Sequence, residues 1–164
     1  MRTFIRNNLR FLALLFFIVI AGPAVYAGVA HLEPQELFSR SDMVVLGEIV
    51  SLDRTVDTTR AQLRVLRAFK GPSGVGSMLT VESLGGKVFI DETQPSFMTS
   101  QVNLLFLQKT DQAYTCTNQA DGQKVIRNKN LYPYHDNSMY SVPLEDYMKL
   151  LEVLAKPETA VKTP

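Results

Sequence analysis

The sequence predicts a mainly β domain, a small β-barrel with a short helix before it and a closing helix after it. Three observations predict this. Two strand-like runs, Met43 to Leu52 and Thr59 to Phe69, flank a short polar connection, Asp53 to Thr58, that suits a hairpin. The second run alternates, with Ala61, Leu63 and Val65 on one side and Arg60, Gln62 and Arg64 on the other. That is the period of a strand with one buried and one wet face. Further short apolar runs follow, separated by Gly-bearing turns, and a helix-spaced apolar stripe closes the chain. An open antiparallel sheet with helices on one face is the competing architecture.

The N-terminus stands apart from this pattern. Arg2, Arg6 and Arg10 precede a wholly apolar run, Phe11 to Ile20, and Ala21-Gly22-Pro23 then breaks it. Val25-Tyr26-Ala27 places small residues where a signal peptidase reads, so cleavage is expected between Ala27 and Gly28. The competing reading is an uncleaved anchor, since Phe11 to Ala27 approaches the shortest spanning length. No Cys follows the apolar run, so a lipoprotein is not indicated. The expected organisation is a signal peptide over 1–27, one barrel domain with its C-terminal helix over 28–157, and a loose tail over 158–164. The chain has 164 residues and a formal charge of +1. The leader carries three Arg and no acid, so the 137 residues left carry −2. That balance argues against nucleic acid or an anionic membrane as the main partner. The membrane is expected only during export, and the destination is periplasmic or extracellular. An exported chain can form disulfides, but Cys116 is the only cysteine, so the fold must rest on its core.

In chain order, His31 to Arg40 is a short helix, with Pro34 in its first turn and Leu37 and Phe38 on its apolar side. The first strand does not alternate cleanly, so it is buried on both faces or bulged, and Gly47 marks the bulge or bend. Lys70-Gly71-Pro72 stops the second strand. Met78 to Leu84 is the third, with Leu79 and Val81 inward. Gly85-Gly86 turns the chain, and Lys87 to Ile90 is a candidate fourth strand. Asp91 to Ser100 is a polar surface loop that holds Pro95 and Phe97. Val102 to Leu107 is the most apolar run after the leader and reads as a central strand, because an exposed edge of that kind would aggregate. Ala113 to Thr117 and Lys124 to Arg127 are weaker strands around an Ala120-Asp121-Gly122 turn, and Asn128 to Tyr140 reads as irregular. Ser141 to Lys156 is the clearest helix, with acids near its start and an apolar stripe through Leu144, Tyr147, Met148, Leu151 and Leu154.

The order of a short helix ending in Phe38, SDMVVLGEIVSL, a strand ending in AFKG, a Gly-Gly turn, Phe97 and LLFL resembles a family of small exported bacterial proteins. Their pattern is similar to the netrin-like domain of tissue inhibitors of metalloproteinases. The resemblance spans Leu32 to about Arg127 and implies an OB-type barrel with flanking helices and a protease-inhibitor-like role. The animal inhibitors chelate the protease zinc through an N-terminal Cys pinned by disulfides. Gly28 stands at the expected mature start here, so that residue does not carry over. Ser100-Gln101 also departs from the Gly-Glu that many bacterial relatives carry before the LLFL strand.

No GxSxG, P-loop or kinase-like motif is present, and neither HxxxH nor CxxC spacing occurs. No metal or other cofactor is therefore expected. Asp42, Glu48, Asp91 and Glu92 offer carboxylates, but nothing in their spacing selects a pair. Arg60, Arg64, Arg67 and Lys70 lie on or beside one strand, where OB-type barrels hold nucleic acid or sugar; with no aromatic among them they read as a solvated face. The expected function is a non-catalytic module that contacts an extracytoplasmic protein through loops at one end of the barrel. Thr93, Gln94, Pro95, Phe97 and Met98 are the candidate contact residues, with Phe97 equally readable as a core plug. The competing function is a small secreted hydrolase using Cys116 or the His135-Asp136 region.

Overall fold

A computed structural model of the chain describes residues 31–87, 93–133 and 141–156. The expected leader with its Ala27–Gly28 junction, residues 88–90 of the candidate fourth strand, the His135-Asp136 region and the tail lie outside the described residues. Among the described residues no helix is long and apolar enough to cross a membrane.

The elements are α1 (Pro34–Arg40), β1 (Met43–Arg54), β2 (Thr58–Lys70), β3 (Met78–Leu84), β4 (Val102–Lys109), β5 (Tyr114–Cys116), a 3-10 turn (Gln119–Gly122), β6 (Gln123–Arg127), β7 (Asn130–Pro133), β8 (Val142–Pro143) and α2 (Leu144–Leu154). Five strands close on themselves in the order β1-β2-β3-β5-β4, with β4 returning to β1. Every pairing in that ring is antiparallel except β3 with β5, which meet in parallel at Val81 and Tyr114. The result is a small OB-type barrel.

The long first strand makes closure possible. Its first half pairs with β4 along one edge while its whole length pairs with β2 along the other. The pairing with β2 slips between Leu46 and Gly47, at the glycine where a bulge is expected. A side chain there has no room: a Cβ on Gly47 would sit 2.7 Å from the Leu63 side chain and 3.0 Å from the Arg64 carbonyl.

Two cores lie on the two faces of this sheet. Inside the barrel are Met43, Val45, Ile49, Leu63, Val65, Val81, Phe97, Leu105 and Leu107, with Cys116 among them. Outside it, Val44, Leu104 and Phe106 pack with Leu37 and Phe38 of α1, Leu131 of β7 and Tyr147 and Leu151 of α2. Successive strand residues point to opposite faces. The unbroken apolar runs in β1 and β4 therefore feed both cores at once, and that is why they do not alternate.

The barrel is extended beyond β4 by a layer of β6, β7 and β8. Here the structure corrects the reading of Asn128 to Tyr140 as irregular for its described part, 128–133, while 134–140 lie outside the described residues. Asn128 and Lys129 both take left-handed backbone, φ 51 and 63, and form a two-residue turn between β6 and β7. Such mirror-image turns match the twist of a hairpin, and Asn tolerates them well. The closing helix starts later than expected, at Leu144, because Val142 and Pro143 pair with β7 first.

The register has a simple test. Leu63 is fully buried in the barrel, whereas Arg64 is half-exposed and paired only with Glu48. Leu63→Ala should cost about 2–5 kcal/mol in a denaturant melt, and Arg64→Ala about 0.5 kcal/mol or less. Equal losses would contradict this assignment of faces.

Candidate binding surfaces

The outer face of β2 and β3 is where OB-type barrels commonly seat a polymer. In this chain that face is a ladder of matched groups. Arg64 pairs with Glu48, the Gln62 amide donates to the Thr80 hydroxyl at 3.0 Å, and Arg60 pairs with Glu82 at 3.5 Å. Arg67 pairs with Glu152 of α2 and lies over the Phe69 ring. The arginine row is thus balanced by acids, which leaves little of the positive field that draws a phosphate backbone.

The connection from β3 to β4 carries the candidate contact residues, and its described part is tied down along its length. The Thr93 carbonyl accepts from the Ala120 N–H at 2.9 Å. Ser96 is bonded both ways to the buried Gln123 amide: its N–H donates to Oε1 and its carbonyl accepts from Nε2, each at 2.9 Å. The same Nε2 also donates to Asn103 Oδ1 at 3.1 Å, so the amide is fully used. Arg54 donates to the Phe97 carbonyl at 3.0 Å, and Ser100 and Gln101 bond with the Ile49 backbone.

This pinning sorts the five candidate residues. Phe97 is 1% exposed and fills the barrel, so of its two readings the core plug is the one observed. Pro95 is also buried, and Thr93 and Gln94 are half-buried. Met98 alone of the five is held out into solvent.

Met98 has neighbours of the same kind. Val56, Leu84 and Met98 are 65%, 59% and 60% exposed. They share one end of the barrel. Leu84 is paired with Thr58, the Gly85 N–H donates to the Asp57 carbonyl, and the Lys87 N–H donates to the Thr55 carbonyl. A Cβ on Gly86 would lie 2.5 Å from the Thr55 carbonyl oxygen, so only glycine lets these two turns stack. Met98 and Lys87 line a shared open cleft with Leu52, Asp53 and Arg54, about 570 Å3 in volume.

A polar knot that the sequence reading missed lies beside the 3-10 turn. Asp121 and Lys124 are 8% and 3% exposed and form an ion pair at 2.7 Å. Asp121 also accepts from the Leu32 N–H at 2.8 Å and from the Asn118 amide at 3.3 Å, and bonds His31 Nδ1 at 2.8 Å. Burial alone would raise the Asp121 carboxyl, but the Lys124 and Leu32 hydrogen bonds and the Lys124 and His31 charges hold it below its usual range. Burial pushes the Lys124 ammonium down, and Asp121 restores only part of that. The knot fastens the segment ahead of α1 to the base of β6. Its only trace in the sequence is an acid and a lysine three positions apart, which reads as an ordinary turn.

Cys116 sits in the barrel core, and burial pushes its thiol up to about 12, against a small opposing pull from Lys124. A nucleophilic cysteine needs the reverse shift and an open approach. Among the described residues no group of three or more His, Cys, Asp or Glu could hold a metal ion. No protein-family model matches the chain, and no curated protein matches it.

Proposed function

We propose that this chain is an exported, non-catalytic binding module that docks an extracytoplasmic protein on the barrel end built from the β1–β2 turn, Gly85 to Lys87 and Met98. The observation that carries this reading is the trio of solvent-exposed apolar side chains, Val56, Leu84 and Met98, on backbone that is hydrogen-bonded in place. Loops held rigid by a scaffold lose little entropy on binding, so each contact made there counts more fully. Asp53, Arg54 and Lys87 line the cleft with Met98, and Asp57 follows Val56 in the turn, so charges of both signs adjoin the apolar side chains. The netrin-like resemblance adds a protease-inhibitor-like role as the finer form of the proposal. Contact through this end needs no N-terminal cysteine.

The test is capture from the periplasmic or extracellular fraction with the purified chain and its variants. Met98→Asp and Val56→Asp should each weaken retention of the partner at least tenfold, as for a charge forced into an apolar contact. Lys149→Ala, on the exposed side of α2, should leave retention unchanged. One residue added before Gly28 should also leave it unchanged. Retention that survives both Asp variants, or that is lost on the N-terminal extension alone, would contradict the proposal.

A further inference from the structure

The second half of β2 is an open sheet edge. β3 pairs with β2 only from Thr58 to Arg64, where Met78 is the last partner. Val65 then closes the turn, its N–H donating to the Ser77 carbonyl and its carbonyl accepting from the Gly76 N–H. From Leu66 to Lys70 the strand is bonded to β1 on one side, and among the described residues no segment bonds to it on the other. An unpaired row of backbone donors and acceptors is a template for an added strand.

Beside this edge runs an open groove of about 910 Å3, between β2 and the last turn of α2. Phe38, Ala68, Phe69 and Leu154 give it an apolar lining. Lys70 and Lys156 also line it, and among the described residues neither is in an ion pair. Lys70 Nζ donates to the neutral Phe38 and Ser39 carbonyls, so no carboxylate offsets its charge there. Leu66, on the edge itself, and Val153, on the helix wall, are both exposed.

We propose that the Leu66 to Lys70 edge accepts an extended segment of a partner protein as an added strand, one whose groove-facing positions, every second residue, carry both apolar and acidic side chains. The backbone supplies the hydrogen bonds. The groove takes the apolar side chains, and Lys70 and Lys156 take the carboxylates. Two copies of this chain are the poorer match. Edge-to-edge self-pairing would join two copies of a Leu66 to Lys70 edge that carries no acid of its own, so it supplies neither groove lysine with a carboxylate. This site is separate from the barrel end, and neither proposal depends on the other.

The experiment selects binders to the purified chain from a displayed library of random dodecapeptides. The enriched peptides should carry apolar residues and Asp or Glu together at every second position, on the face that meets the groove. A synthetic copy of one should shift the backbone amide resonances of residues 66–70. Lys156→Glu, an exposed change, should weaken it on the order of tenfold, and methylating its backbone nitrogens should abolish binding. The proposal is overturned if no peptide is enriched, if enriched peptides carry no acid, if the shifts fall on the barrel end instead, or if the chain alone dimerises through this edge.

Discussion

Asp121→Ala is expected to cost about 3–5 kcal/mol of folding stability, because it strands a buried ammonium. Lys124 is almost wholly out of water, and Asp121 is its ion-pair partner. The same carboxylate also holds the part-buried Leu32 N–H, so one truncation removes the acceptor of that donor as well as the partner of the ammonium. The pH dependence identifies the cause. In the variant the hydrogen bond and charge of Asp121 no longer oppose the effect of burial on Lys124, so its folded value falls further below 10.5. Between that folded value and 10.5 the unfolded chain binds the extra proton, so the variant gains stability as the pH rises and its deficit shrinks. In the parent chain Asp121 is held below its ordinary 3.8. Its contribution is present above 3.8 and is lost as the pH falls through its lower folded value. Urea melts of both proteins across pH check this. A deficit that stays constant with pH would mean that the loss comes from packing and not from the unpaired charge.

Phe97→Ala is expected to cost a similar amount, about 3–5 kcal/mol. Among the described residues of the β3–β4 connection the Phe97 ring is the large side chain in the barrel, in one core cluster with Val45, Leu63, Val81 and Leu105. Its removal leaves a cavity in a core whose neighbours are fixed by strand pairing and have little freedom to collapse. Phe97→Leu should recover much of the loss. Chemical denaturation measures both, and a Phe97→Ala cost under about 1 kcal/mol would place the ring outside the core. The result bears on function as well. Exchanging all of Thr93 to Met98 for a flexible linker would remove the plug along with the surface, so Met98 must be tested alone.

Much of the fold was legible because it is written in short-range pattern. The alternation in Thr59 to Phe69 gave the faces of β2, and Gly47 marked the slip in β1. VNLLFL was readable as a central strand because no exposed edge tolerates such a run. The hairpin of β6 and β7 was harder to see. Its turn is Asn128-Lys129, and without a glycine the signal for two left-handed residues is weak. The outer layer also draws its stability from Leu131 packing on residues far along the chain, which no local window contains. Of the candidate site, the segment was legible but its orientation was not. Phe97 and Met98 are adjacent in sequence, yet one fills the barrel and the other faces solvent. Val56 and Leu84 join Met98 only because two turns stack on Gly86. The Asp121–Lys124 pair was hidden for the same reason: Asp121 is bonded by His31 and Leu32, which lie 90 and 89 positions away in the chain.

The central proposal is that a partner protein sits on the barrel end, and backbone hydrogen exchange of the captured complex tests it most directly. Binding there should slow exchange at residues 54–57, 84–87 and 98–99, and should leave the outer face of β2 and β3 and the edge at 66–70 as they are in the free chain. Slowed exchange confined to the N-terminal segment near His31, or to the arginine face, with no change at the barrel end, would contradict it.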